Sequence, residues 1–113
     1  MKIHLYLDDW RPHPKGFALA RNGEECLMML RECEVDVLSL DYELGHDQMN
    51  GGDVVAAMIA EKLRAKEIYL HTSSPYGRRK MYEMLYEHMP EDVRVHNGPM
   101  PEALIREIAE GTR

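Results

Sequence analysis

A chain of 113 residues with 20 Asp and Glu against 14 Lys and Arg, a net charge of −6 and a pI near 5.5 can bury one sizeable core but lacks the basic footprint of a duplex-DNA binder. One domain over residues 1–113 is expected, and no duplex DNA partner. Neither a signal peptide nor an 18-residue apolar run occurs, and Cys26 and Cys33, seven apart in one predicted helix and so about 10 Å from each other, read as free thiols; these features exclude a membrane span and a disulfide scaffold and predict a soluble cytoplasmic protein.

Residues 2–8 read as a strand ending on the carboxylate pair Asp8 and Asp9, and Phe17 to Ala20 as a short second strand. Asn22, with Glu25 three residues later, marks the start of a helix over Glu24–Cys33 whose apolar stripe is Cys26, Leu27, Leu30 and Cys33. Residues 35–41 form the next strand and end on Asp41. A helix follows from about Gly52 to Ala65, with Val54, Val55, Met58, Ile59 and Leu63 turned inward. Residues 67–72 are a strand ending on His71 and Thr72, and Arg78 to Met89 a helix. Val93 to His96 is a weaker strand, and Pro101 to Glu110 a helix with a proline in its first turn. Near-continuous apolar runs suit parallel strands covered on both faces, and the alternation with helices predicts an α/β fold.

One connection is too short. Seven residues separate Asp9 from Phe17, among them Pro12, Pro14 and Gly16, whereas a helical crossover between parallel strands needs a dozen or more. The helix expected after the first strand is therefore missing.

Open α/β sheets bind ligands beyond the carboxyl ends of their strands. That rule gathers Asp8, Asp9, Asp41, His71 and Thr72 on one rim, with Arg11, Glu43, Ser74 and Gly77 on the loops that follow. Carboxylates crowded together need a cation, and hard oxygen donors suit Mg²⁺. The adjacent side chains of Asp8 and Asp9 face two directions, so one of them can serve structure only.

The acidic pair, Asp41, Thr72 and the segment Ala18-Leu-Ala-Arg-Asn-Gly-Glu-Glu-Cys-Leu resemble the receiver domain of two-component response regulators. The resemblance covers essentially the whole chain. It implies a flavodoxin-like three-layer sandwich around a mainly parallel five-stranded sheet, with the first helix truncated or missing. It also implies Mg²⁺ (or Mn²⁺) held by Asp8, Asp9, Asp41 and the backbone carbonyl of Glu43, with Asp41 as phosphoacceptor and Thr72 as switch hydroxyl. The receiver's lysine after the last strand has no counterpart: Asn97 stands there, followed by Gly98, and no lysine follows Lys80.

Leu7-Asp8-Asp9-Trp10-Arg11-Pro12 and His71-Thr72-Ser73-Ser74-Pro75-Tyr76-Gly77 are similar to a narrower group, the cyclic-phosphate-processing receiver variants. That likeness implies a metal-dependent reaction on a small phosphorylated ligand, a cyclic nucleotide or an RNA-end phosphate. Asp41, His71 and Thr72 would act at phosphorus, His71 as an acid or base near neutral pH. Arg11, Ser74, Gly77 and Arg78 would bind the phosphate, with Arg79 adjoining. His46 and Asp47 lie on the loop after Asp41, while His4, His13, His88 and His96 have no metal-ligand spacing. The nine methionines read mainly as core, and the resemblance to receivers, whose late helix often forms a dimer or effector surface, implies that an exposed Tyr82, Tyr86 and Met89 patch is where a homodimer or protein partner would dock. A stand-alone signalling receiver phosphorylated on Asp41 and a degenerate receiver-like binding module are the alternatives.

Overall fold

The computed structural model describes residues 1–46 and 48–113; Asp47, named above with His46, lies outside the described residues. Five strands, β1 (Lys2–Leu7), β2 (Ala18–Ala20), β3 (Glu34–Leu40), β4 (Ala65–Leu70) and β5 (Arg94–Val95), alternate with four helices, α1 (Gly23–Glu32), α2 (Gly51–Glu61), α3 (Pro75–His88) and α4 (Glu102–Glu110). The sheet order is β2-β1-β3-β4-β5, and every pairing is parallel.

The helices begin where side chains take up their orphan N–H groups. Asn22 accepts from Glu25 at α1, Asn50 and Asp53 form a reciprocal capping box at α2, and Ser74 accepts from Gly77 at α3. Two ends differ from the periodicity reading. Helix α2 stops at Glu61 because Lys62 turns left-handed (φ 58°), which frees Ala65 to start β4. Helix α3 starts earlier than Arg78, since Pro75 fits the first turn, where no N–H is needed.

The layers are unequal. Leu5, Leu7, Leu38, Leu40, Ile68 and Leu70 pack on one sheet face against α1, α2 and α3, while Tyr6, Val37 and Tyr69 pack on the other against α4 and Phe17. Residues 8–17 run from β1 to β2 without a helix. Phe17, from the end of that loop, fills part of the space on the α4 side.

Met58, Met81 and Met100 are buried, as a core role requires, whereas Met28 is exposed. Cys26 is fully buried, and burial pushes its thiol up to about 12; Cys33 is half-buried. Iodoacetamide at pH 8 should therefore alkylate Cys33 in the folded protein and reach Cys26 only after unfolding, as mass spectrometry of tryptic peptides would show. Equal labelling of both would contradict the packing of α1.

Candidate functional site

The site is built by the sheet ladder running one residue past each strand. Asp8 N–H donates to Ala20 O (3.1 Å), Asp41 N–H to Leu7 O (3.1 Å) and His71 N–H to Leu40 O (3.0 Å). Because β1, β3 and β4 are neighbours, this places the three side chains next to one another. One ligand atom from each of Asp8, Asp41 and His71 lies within 4.8 Å of the others, so the group can hold a metal ion.

Asp8 is 1% exposed and fully engaged. Its Oδ1 accepts from the backbone N–H groups of Trp10 (2.9 Å) and Arg11 (2.8 Å), and its Oδ2 from Arg11 Nη1 (3.2 Å) and His71 Nε2 (3.1 Å). Burial alone would raise its pKa, but these donors outweigh burial and hold the carboxyl below its usual range. The same bonds turn the chain sharply after β1 and leave Asp9 exposed, its carboxylate beside Gly45. Of the expected metal residues, the structure brings Asp8 together with Asp41, beside His71, and leaves Asp9 exposed on the loop.

Asp41 is shifted the other way. Burial raises its pKa and the Asp8 charge adds to the rise, while Tyr42 N–H (2.7 Å), the Thr72 hydroxyl and Arg11 pull it back only in part. Arg11 Nη1 stands 3.9 Å from Asp41 Oδ2, so one guanidinium faces both carboxylates. Arg11 also reaches the His71 carbonyl, and Arg21 fixes this loop by donating to the backbone carbonyls of Asp8 (3.3 Å) and Arg11 (3.1 Å).

His71 does not titrate near neutral pH. Burial drives it down to about 4, against the opposing pull of Asp8. An ionised carboxylate only accepts, so Nε2 carries the proton toward Asp8, and Nδ1 of the neutral ring accepts from Ser39 Oγ at 2.6 Å. Tyr6 stacks on the ring (centroids 4.2 Å apart, planes 5° apart). Ser39 is the register partner of Tyr6 on the strand between β1 and β4. Its small side chain leaves room for the two rings to meet.

Sequence reasoning overlooked Ser39, Tyr6 and Arg21. The signal for Ser39 was present: a serine inside the apolar run of β3 needs a hydrogen-bonding partner once buried.

The loop after β4 is shaped by α3. Thr72 Oγ1 accepts from Ser74 N–H (3.1 Å), and Ser74 Oγ accepts from Gly77 N–H (3.0 Å) as the cap of α3. Gly77 is buried against Tyr42; a Cβ there would lie 2.2 Å from the ring. Both expected phosphate contacts therefore already serve the helix start. Arg78 is half-buried, and Arg79 and Lys80 are exposed on the same turn. Glu43 and His46 are exposed on the loop after β3.

The donor set fits a small divalent cation. It offers two buried carboxylates, hard oxygens at metal-group spacing, and a guanidinium already stands where opposite charge is needed. A groove of about 770 Å³ lies elsewhere, at the amino ends of the strands among Glu34, Lys62, Arg64, Lys66, Arg94 and Arg113, away from these groups.

A parallel 2-1-3-4-5 sheet is the flavodoxin-like order, and an acidic cluster at its carboxyl edge is what a receiver domain places there. In line with this, the chain is similar to the receiver domain of the Francisella response regulator 1452, with a TM-score of 0.55 and 16% identity over 99% of this chain and 98% of that one. The family model of the cyclic-phosphate processing receiver domain matches residues 3–87, and the chain belongs to that family. No curated protein matches it. No helix among the described residues is long and apolar enough to cross a membrane.

Proposed function

We propose that this receiver domain processes a cyclic or terminal phosphate by metal-dependent phosphoester hydrolysis or phosphotransfer at Asp41. The observation that carries the reading is the position of Asp41: buried, raised in pKa, and faced by Thr72 and Arg11 at the carboxyl edge of the sheet. Asp8 and Asp41 would hold Mg²⁺ or Mn²⁺, with the Glu43 carbonyl and Asp9 completing the set from the loops. When bound, the ion neutralises the non-bridging phosphate oxygens.

The chain's own residues supply the rest. Arg11 is the partly exposed cation of the site: its side chain is 41% exposed, and it would turn from the carboxylates to grip a phosphate bidentately. Thr72 donates to the same phosphate, and Arg78 adds charge at the start of α3. Ser74 and Gly77 shape that edge, with the Ser74 hydroxyl proton still free to be donated. His71, neutral and held at both nitrogens, keeps Asp8 oriented. Asn97, exposed after β5, provides no lysine to pair with a phosphorylated Asp41, which weighs against plain signalling.

The test is a product screen with Mg²⁺ or Mn²⁺ against 2′,3′-cyclic nucleotides, 3′,5′-cyclic nucleotides and terminal phosphoesters, with Asp41→Asn beside the wild type. Turnover that falls by roughly 10³-fold in the variant is the expected result. No turnover by a wild type that still binds metal overturns the reading. Stable labelling of Asp41 by acetyl phosphate would then favour a phosphoacceptor that acts through a protein partner or a homodimer.

A further inference from the structure

Trp10 is 85% exposed and carries a large apolar ring with a polar N–H at its edge. It sits directly after the two carboxylates and directly before Arg11, so its Cα is about 3.8 Å from that of the phosphate-gripping arginine. Its backbone is fixed, through the N–H bond to Asp8 Oδ1 at 2.9 Å and through the hold of Arg21 on the Arg11 carbonyl. The indole is thus a free flat face on a rigid mount at the rim of the acidic cluster.

A second exposed aromatic stands on the opposite side. Tyr76, 60% exposed, is in the first turn of α3, edge-on to Tyr42 at 6.2 Å. Since β1 and β4 flank β3, the loops bearing Trp10 and Tyr76 flank the loop that follows Asp41.

The chain neighbours of Trp10 are mostly charged or polar, with Asp9 and His13 exposed, Arg11 half-exposed and Pro12 the one exposed apolar residue between them. A protein-docking patch would need contiguous apolar surface there. An aromatic face beside a cation and a metal-binding carboxylate pair instead matches a ligand that joins a flat ring to an anion.

Building on the proposed phosphate chemistry, we infer that the ligand is a nucleotide whose base stacks on Trp10 while its phosphate lies between Arg11 and Asp41. The stack tolerates any base, because every base offers a π-face, and specificity for the phosphate comes from the cluster. Tyr76 forms the far wall.

Trp10 is the chain's one tryptophan, so its emission reports on this position alone. The experiment titrates the protein, with Mg²⁺ present, with AMP and with ribose 5-phosphate, following fluorescence and, in parallel, calorimetry on wild type, Trp10→Phe and Trp10→Ala. Saturable quenching by AMP but not by ribose 5-phosphate is expected. Trp10→Ala should weaken AMP binding by roughly five- to a hundred-fold, Trp10→Phe should retain most of it, and ribose 5-phosphate should bind all three proteins alike.

Equal quenching by both ligands, AMP affinity unchanged in Trp10→Ala, or no binding of AMP at all overturns the inference. Base-dependent binding without turnover of any phosphoester would keep the stacking platform and sink the processing reaction. Turnover of a base-free cyclic phosphate, unaffected by Trp10→Ala, would do the reverse.

Discussion

Asp8→Ala is expected to destabilise the metal-free protein by about 3–5 kcal/mol, and Asp41→Asn to stabilise it, although both carboxylates belong to one cluster. The difference lies in what each is bonded to. Removing Asp8 strands two backbone N–H groups and the imidazole Nε2, and takes from the Arg11 guanidinium one of its two carboxylates. Burial and the neighbouring Asp8 disfavour the ionised form of Asp41, so an uncharged isostere relieves the fold. Urea denaturation in EDTA measures both.

The two effects also carry opposite pH signatures. The folded pKa of Asp8 is depressed, so its stabilisation is complete above the ordinary value of 3.8 and is lost as pH falls through the lower folded value. The folded pKa of Asp41 is raised, so its cost is full above that raised value and disappears below 3.8. The gain from Asp41→Asn should therefore shrink on acidification. An Asp8→Ala protein more stable than the wild type would show that the carboxylate is held against repulsion for the sake of a metal, and the bonding described for it would not govern the site. A stabilising Asp41→Asn that also removes turnover would mark this residue as one kept at a cost to the fold.

Much of this architecture is legible in the chain. The periods of the apolar residues place all nine elements, and the count of residues between Asp9 and Phe17 alone reveals the missing helix, because chain length limits crossovers. The gathering of Asp8, Asp41 and His71 also follows from strand ends in a parallel sheet. What the chain hides is set by contacts across strands. That Asp8 turns inward and Asp9 outward depends on the turn that Asp8 caps, and the low pKa of His71 comes from its burial, at a place where Tyr6 and Ser39 reach the ring from two other strands. Arg11 is written plainly as a phosphate-binding candidate, yet its place between two carboxylates is a matter of side-chain reach that spacing does not encode. The start of α3 shows the same limit: Ser74 and Gly77 look like ligand contacts in a motif, and local geometry first employs them as a cap and a packing surface.

Gly51→Ala is expected to lower stability by about 1–3 kcal/mol or more and to disturb the site, because it opens the first turn of α2 against the backbone of Asp41. A Cβ there would lie 2.3 Å from the Asp41 carbonyl oxygen, 2.7 Å from Met81 Sδ and 2.9 Å from Tyr42 Cα. Met81 can adjust at its sulfur, but the two backbone contacts cannot. Gly51 N–H also donates to the Tyr42 carbonyl at 2.7 Å, so the helix and the end of β3 are tied together at the point where the methyl would push. The requirement is close approach, since Gly51 is not among the glycines of positive φ. Gly98 supplies the comparison: a Cβ there meets nothing within 4 Å. Thermal unfolding should show Gly51→Ala melting roughly 4 to 18 °C below Gly98→Ala, and calorimetry should show weaker Mg²⁺ binding for the first variant alone. If both variants melt together and bind metal alike, α2 does not hold Asp41 in place through its backbone, and the position of that carboxylate must be set by β3 alone.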